Sequence, residues 1–436
     1  MRSLGLLPLA AVVLLAACAP EPAEVNEATG ADLILTNARV YTLNWAEPGP
    51  DGTPAPTAPR SADGWAPDAE AVATKGGEFV FVGSTQEALT LLGEATRVID
   101  LAGATVIPGL VDSHTHVFDL GAKLDAIDLT DVATEEEAVA LVAERAKSVP
   151  AGEWILGAGW DEGAWADRYP DKELLSQAVP DHPVFLDSLH GFAAWANQAA
   201  LDAGGITADS EVPTGGEMRL GEDGEPNGLF LNRATTMLDA IVPAPSQETL
   251  IRQVLMGLNQ MAADGYIAVH EAGVGSRAMS VVEQLEAEGR LPIRFYAMLS
   301  LRDEELIRRW IEKGPDKDND SMLVTRAVKA YYDGALGSRG ARLLYDYEDQ
   351  PGHRGVSGDG YGFDQALNAA AMKAGFQVAI HAIGDAGNRE ALDILESVFE
   401  QDPSTRSNRH RIEHAQVIAP EDIPRLGQLG IIASME

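Results

Sequence analysis

Two periodicities divide the chain. From residue 253 onward, near-continuous apolar runs alternate with amphipathic, helix-spaced stretches: GYIAVHEAGVG, LPIRFYAMLSL, MLVTRAVKAYYDGALGSRG, GFQVAIHAIGD, HRIEHAQVI and GIIASME. Apolar runs separated by amphipathic helices indicate parallel strands buried on both faces, the pattern of α/β folds. An earlier run, TVIPGLVDSHTHVF at 105–118, breaks at Pro108-Gly109 and then places Asp112, His114 and His116 at every second position. In a strand those three share one face. Counting from this run, seven strands of a (β/α)8 TIM-type barrel are visible and the eighth is not.

Upstream, the period shortens. DLILTNARVYTL, AVATKGGEFVFVG and RVIDLAGATVIPG alternate and are bounded by Gly, Asn or Asp, as hairpins require. These predict a small, incomplete β-sandwich over 31–107, with a Pro- and Gly-rich exposed loop between its first two strands. The barrel then occupies 108–436. Residues 118–260 depart from the barrel rhythm, with a helix over 134–148, strands at EWILGAGW and HPVFLDSLHG, and a loop-rich TGGEMRLGEDGEPNGLF. They read as an insertion on the first strand-to-helix connection, where barrels build substrate pockets.

Charge narrows the partners. Asp and Glu number 67 against 32 Lys and Arg, a formal net charge of -35. Such a surface repels phosphate backbones, which argues against nucleic acid as a partner. The N-terminus adds a location. Arg2, the apolar run 4–17 and Leu15-Ala16-Ala17-Cys18 read as a lipoprotein signal over 1–18, followed by an acidic tether over 19–30. Cys18, the only cysteine, would carry lipid and hold the exported protein to a bacterial envelope membrane on its periplasmic side. An ordinary cleaved signal with an incidental cysteine is the alternative.

Chemistry concentrates at strand ends. His114 and His116 follow the first strand, Lys329 lies on the fourth, His381 on the fifth and His414 on the sixth. In a (β/α)8 barrel these ends converge on one mouth, and zinc takes imidazole and carboxylate donors there. A strand histidine can equally be a satisfied core group. Lys329 would bind metal only as a carbamate formed with carbon dioxide; a salt bridge to Asp333, four residues on, is the alternative. His270 and Glu271 end the second strand as pocket or core groups, while His182, His353 and His410 read as surface or loop residues.

The pieces DSHTH, VKAYYDGALGSRG, AIHAIGDAGN and RIEHAQ, in this order, resemble the amidohydrolase superfamily. HGFAAWANQAAL, DGEPNGLF and GWDEGAW narrow the likeness to the branch containing N-substituted formamide deformylases. The resemblance implies one or two divalent metals, zinc foremost, bound by His114, His116, His381 and His414 with carbamylated Lys329 as bridge. It implies Trp160, Asp161 and His190 near a small amide-type substrate. The implied activity is metal-dependent hydrolysis of a non-peptide C–N bond. Alternatives are another bond, such as a cyclic amide or lactone, or a non-catalytic ligand-binding lipoprotein. The superfamily's catalytic aspartate ends the eighth strand. No residue here takes that role, so the sequence is expected to be a fragment whose aspartate lies beyond Glu436, or an inactive truncation.

Overall fold

The structure, a computed structural model, describes residues 30–49, 52–61, 64–161, 165, 169–189, 193–213, 216–232, 234–318, 320–336, 339–348 and 350–435. The signal segment with Cys18, the tether up to residue 29, and His190 lie outside them. Two compact units divide at Gly109, within the Pro-Gly break. The run 105–111 is therefore not one strand. Thr105–Val106 pairs with Arg39–Val40 in the first unit, and a new strand starts at Leu110.

The first unit holds a four-stranded sheet in the order Glu78–Gly83, Ala71–Lys75, Leu33–Thr36, Arg97–Asp100. Gly76 and Gly77, both at positive φ (60° and 82°), make the two-residue turn of its hairpin. Ile34, Ala71 and Ala73 face inward and form its small core with Ala31 and Ala88.

The second unit is built on seven parallel strands: β1 (Leu110–Thr115), β2 (Tyr266–Val274), β3 (Arg294–Ser300), β4 (Leu323–Tyr331), β5 (Gln377–Ala382), β6 (Arg411–His414) and β7 (Ile432–Ser434). They lie side by side in chain order, with helices between successive strands from β2 onward. This is the barrel sheet of the sequence reading, nearly closed. Arg411 on β6 donates both to Ser113 O on β1 and to Ser434 Oγ on β7, so one guanidinium reaches both edge strands.

Alternation sorts the side chains. Phe295, Ala297, Leu299, Val328, Ala330, Val378, Ile380 and Ile412 face the helices in the main core. Ala272, Met298, Ala327 and Ala379 form an inner layer from β2 to β5. Three of those four are alanines, which leaves room for the larger polar groups above them.

After β1 the chain enters a helix at once, Val117–Asp125, which packs on Gln247–Ala263. A Cβ at Gly121 would meet Gln253 O at 1.9 Å, so glycine permits this close crossing. The insertion lies between these two helices rather than over all of 118–260. It is a six-stranded sheet in the order Ile127–Asp128, Ile155–Trp160, Val184–Ser188, Ala193–Ala196, Pro226–Asn232, Gly216–Leu220. Its last two strands overturn the loop expected over 214–230. They are an antiparallel hairpin, closed by a turn in which Gly221 N donates to Glu225 O and Gly224 has φ of 83°. Glycine and charge on exposed strand positions disguised it as a loop. Among the described residues, no helix is long and apolar enough to cross a membrane.

Candidate metal centre

The site begins where β1 ends. His114 is the fifth residue of β1; His116 lies one residue beyond the strand and stands as the N-cap of Val117–Asp125 (φ −124°, ψ 71°). The shared strand face therefore holds for Asp112 and His114, and His116 is placed by the helix start instead. The two rings are 5.4 Å apart between centroids. Glu271 on β2 supports this corner: its buried carboxylate accepts the Val117 N–H at 2.5 Å. Burial pushes Glu271 up to about 8, against the pull of the Val117 and Phe118 N–H groups.

His414 ends β6 with φ of 70°, followed by Ala415 at 43°. Two successive left-handed residues without glycine cost on the order of 1–2 kcal/mol each, a strain typical of functional sites. The turn brings the His414 ring within 5.1 Å of His114 and 4.4 Å of His381, centroid to centroid. His381 lies on β5, and among the described residues its buried Nε2 has no hydrogen-bond partner, standing 3.6 Å from Asp333 Oδ1. Lys329 on β4 is 1% exposed and its Nζ is 3.2 Å from His114 Nε2. The structure thus brings together all five residues that the sequence singled out for metal.

Burial and like charge keep three of the imidazoles neutral. Burial lowers His381 to about 3 and His414 to about 4, with Lys329 adding to both and His414 to the former. His116 is lowered by burial, then by His114 and Lys329. Neutral imidazole is the form that binds metal. Among the described residues, no three His, Cys, Asp or Glu side chains have donors already gathered on one point; the Lys329 ammonium lies among the rings instead. By chemistry the set still fits a divalent ion: His381 Nε2 is an orphaned buried donor atom, and His114 has its Nδ1 engaged elsewhere with Nε2 turned inward.

That engagement is with Glu413, which the sequence reading passed over. Glu413 Oε2 is 2.5 Å from His114 Nδ1, and Arg411 donates to both Glu413 oxygens, at 2.7 and 2.8 Å. Burial raises this carboxylate, but His114 and Arg411 outweigh it and hold Glu413 at about 2. The available signal was Arg411-x-Glu413, two opposite charges on one face of a strand whose other face is Ile412.

Other expectations are corrected. Lys329's neighbour Asp333 lies past β4, and its buried carboxylate accepts N–H groups of Arg342, Ile383 and Gly384. Trp160 is a packing residue: fully buried, its indole donates to Leu186 O and its ring packs on Trp165 and Trp195. Asp161 follows it, half-buried, after the strand. His270 sits mid-strand on β2 against Tyr296, 4.5 Å between rings. His182 and His410 are buried, not surface groups; His410 Nδ1 accepts from Val378 N while Nε2 donates to Thr405 O. His353 is tied to Arg339 O.

Comparison with known proteins places this geometry. A model described as "Amidohydrolase family" matches residues 97–436. The putative amidohydrolase YtcJ of Bacillus subtilis is 30% identical, covering 84% of this chain and 69% of that protein. N-substituted formamide deformylase of Arthrobacter pascens is 26% identical over 83% of this chain and 68% of its own length. Among solved structures, an uncharacterized metal-dependent hydrolase from Pyrococcus furiosus has 25% identity and a TM-score of 0.71, covering 92% of this chain and 76% of that one. With seven parallel strands, histidines at their ends and a family match over most of its length, the chain belongs to the amidohydrolase family and is a metal-dependent hydrolase of that superfamily.

Proposed function

We propose that the protein hydrolyses an amide-type, non-peptide C–N bond of a small substrate, with His114, His116, His381 and His414 as ligands of one or two divalent ions and carbamylated Lys329 as their bridge. The observation that carries the reading is the gathering of four imidazoles around one buried lysine at the C-terminal ends of parallel strands. A histidine cluster that only packed would not surround an ammonium. Likeness to an N-substituted formamide deformylase supports the choice of bond.

A bound divalent metal, zinc in this reading, supplies a polarised carbonyl and a water that ionises near neutral pH. The chain's own residues do the rest. Glu413 holds the proton of His114 on Nδ1, so its Nε2 lone pair is presented to the centre. The Lys329 ammonium first gives up one proton; the free amine then attacks carbon dioxide, forming a C–N bond as one C=O π pair moves onto oxygen, and loses a second proton, so that a cation becomes an anionic donor. The buried walls on β4 and β5 exclude bulk water around these groups.

Elemental analysis tests the centre. The purified protein should carry one or two equivalents of divalent metal and release formate from N-substituted formamides. The His114→Ala/His116→Ala double variant should hold less than about a tenth of an equivalent, since structural ligands contribute most of the binding energy. Metal retained in that variant would overturn the assignment.

Location is part of the same proposal: an envelope lipoprotein acylated at Cys18. In a bacterial host the wild type should sediment with membranes and Cys18→Ser should shift to the soluble fraction; unchanged sedimentation would sink the lipid anchor.

A further inference from the structure

We propose that Arg302 is the docking point for a carboxylate on the substrate, so that the preferred amides are anionic, with N-acyl amino acids as the simplest class. The inference rests on the hydrolase reading above and adds the substrate's charge. Arg302 comes two residues after Ser300, the last residue of β3, and Ser300 pairs in register with Lys329. It therefore stands just beyond the level of the candidate centre, at the strand end where barrel enzymes place their substrate-contacting groups.

Two aromatic rings hold it there. The guanidinium carbon lies 4.2 Å from the centroid of Tyr331 and 5.7 Å from that of Tyr361. Tyr331 also connects it to the centre: the same ring lies 5.2 Å from Lys329 Nζ and 5.8 Å from the His381 ring. Both hydroxyls lie close against glycine backbone. A Cβ at Gly273 (φ 120°) would come within 2.9 Å of the Tyr331 hydroxyl, and one at Gly334 within 2.6 Å of the Tyr361 hydroxyl.

What Arg302 lacks is an acid. In a chain with 67 acidic and 32 basic residues, most buried or half-buried arginines of the second unit pair with carboxylates, as Arg389, Arg411 and Arg425 do. Arg302 is exposed and, among the described residues, has no ion pair. Stacking occupies the faces of a guanidinium and leaves its edge N–H groups for a planar anion, the bidentate geometry that arginine offers a carboxylate. A net charge of -35 repels anions at long range, but that field is screened within about 8–10 Å at physiological salt. A fixed cation beside the centre then decides which substrate stays.

The test compares N-formylglycine with its neutral analogue N-formylglycinamide on the zinc-loaded full chain. The wild type should favour the anion in kcat/KM by at least about tenfold. Arg302→Gln should reduce that preference by about 10- to 100-fold, mainly through KM, and Arg302→Lys should restore part of it, because a point charge replaces the fork. No preference in the wild type, or equal losses on both compounds, would overturn the proposal. If neither compound is hydrolysed, the choice of bond fails separately, and calorimetric binding decides: N-formylglycine bound by the wild type and not by Arg302→Gln upholds the anion site, while equal or absent binding by the two proteins overturns it.

Discussion

Lys329→Ala loses turnover by more than about a hundredfold, and millimolar short-chain carboxylic acids restore part of it, while Lys329→Met makes the metal-free protein no less stable than the wild type. The first loss follows from the proposed role. Removing an outer partner of a metal ligand costs about 10- to 100-fold in activity or affinity, and a bridging donor contributes more than such a partner. Alanine leaves a space where a small carboxylate can stand in for the carbamate; methionine fills it. The stability result follows from burial. Lys329 is 1% exposed, and the nearby Glu413 carboxylate is already neutralised by Arg411. Taking an ammonium out of water is expensive, and an apolar side chain of similar volume should leave stability unchanged or raise it by on the order of 1 kcal/mol. Denaturant unfolding of the two metal-free proteins measures this. Wild-type turnover in Lys329→Ala would remove the bridge, and a clear loss of stability in Lys329→Met would make the lysine a structural residue.

That opposition between function and stability explains which parts of the site were legible in the sequence. Lys329 in VKAYYDG is a residue type that a buried strand avoids, so its presence alone asked for a chemical reason. His114, His381 and His414 were found because parallel strands deliver their ends to one place, and apolar runs mark those ends. The placement of His116 was half right: the alternating run continued past the strand into a helix start, which β periodicity cannot foresee. The left-handed backbone at His414 and Ala415 left no trace in composition, since neither residue is glycine. Trp160 was placed near the substrate only through the family resemblance carried by GWDEGAW, whereas in the structure it packs in one core with two other tryptophans. His410 read as isolated because its partners, Val378 N and Thr405 O, are backbone atoms that any sequence would supply. Arg302 was invisible for a related reason: its partners are the rings of Tyr331 and Tyr361, one on the next strand and one far along the following connection.

Glu413→Gln is expected to weaken metal binding about 10- to 100-fold and to destabilise the protein by about 3 kcal/mol or more, and the two effects should separate in a second variant. The carboxylate serves two partners. It fixes the His114 tautomer through Nδ1, and it neutralises Arg411, a residue 6% exposed whose guanidinium also reaches Ser113 O and Ser434 Oγ. A neutral amide of the same shape leaves Arg411 as a buried charge without its counter-ion, the change that costs most in proteins. The amide can also present its NH2 group to His114, so that Nδ1 becomes the acceptor and the proton moves to Nε2, the atom meant for metal. Adding Arg411→Met to Glu413→Gln removes the stranded charge and should recover stability, at the expense of the contacts to β1 and β7, while metal affinity stays weak because the tautomer is still unfixed. Equilibrium unfolding and metal competition on all four proteins of the cycle read the two terms independently. Should the double variant regain metal affinity along with stability, Glu413 would be a counter-ion for Arg411 and nothing more, and the orientation of His114 would have to come from elsewhere in the barrel.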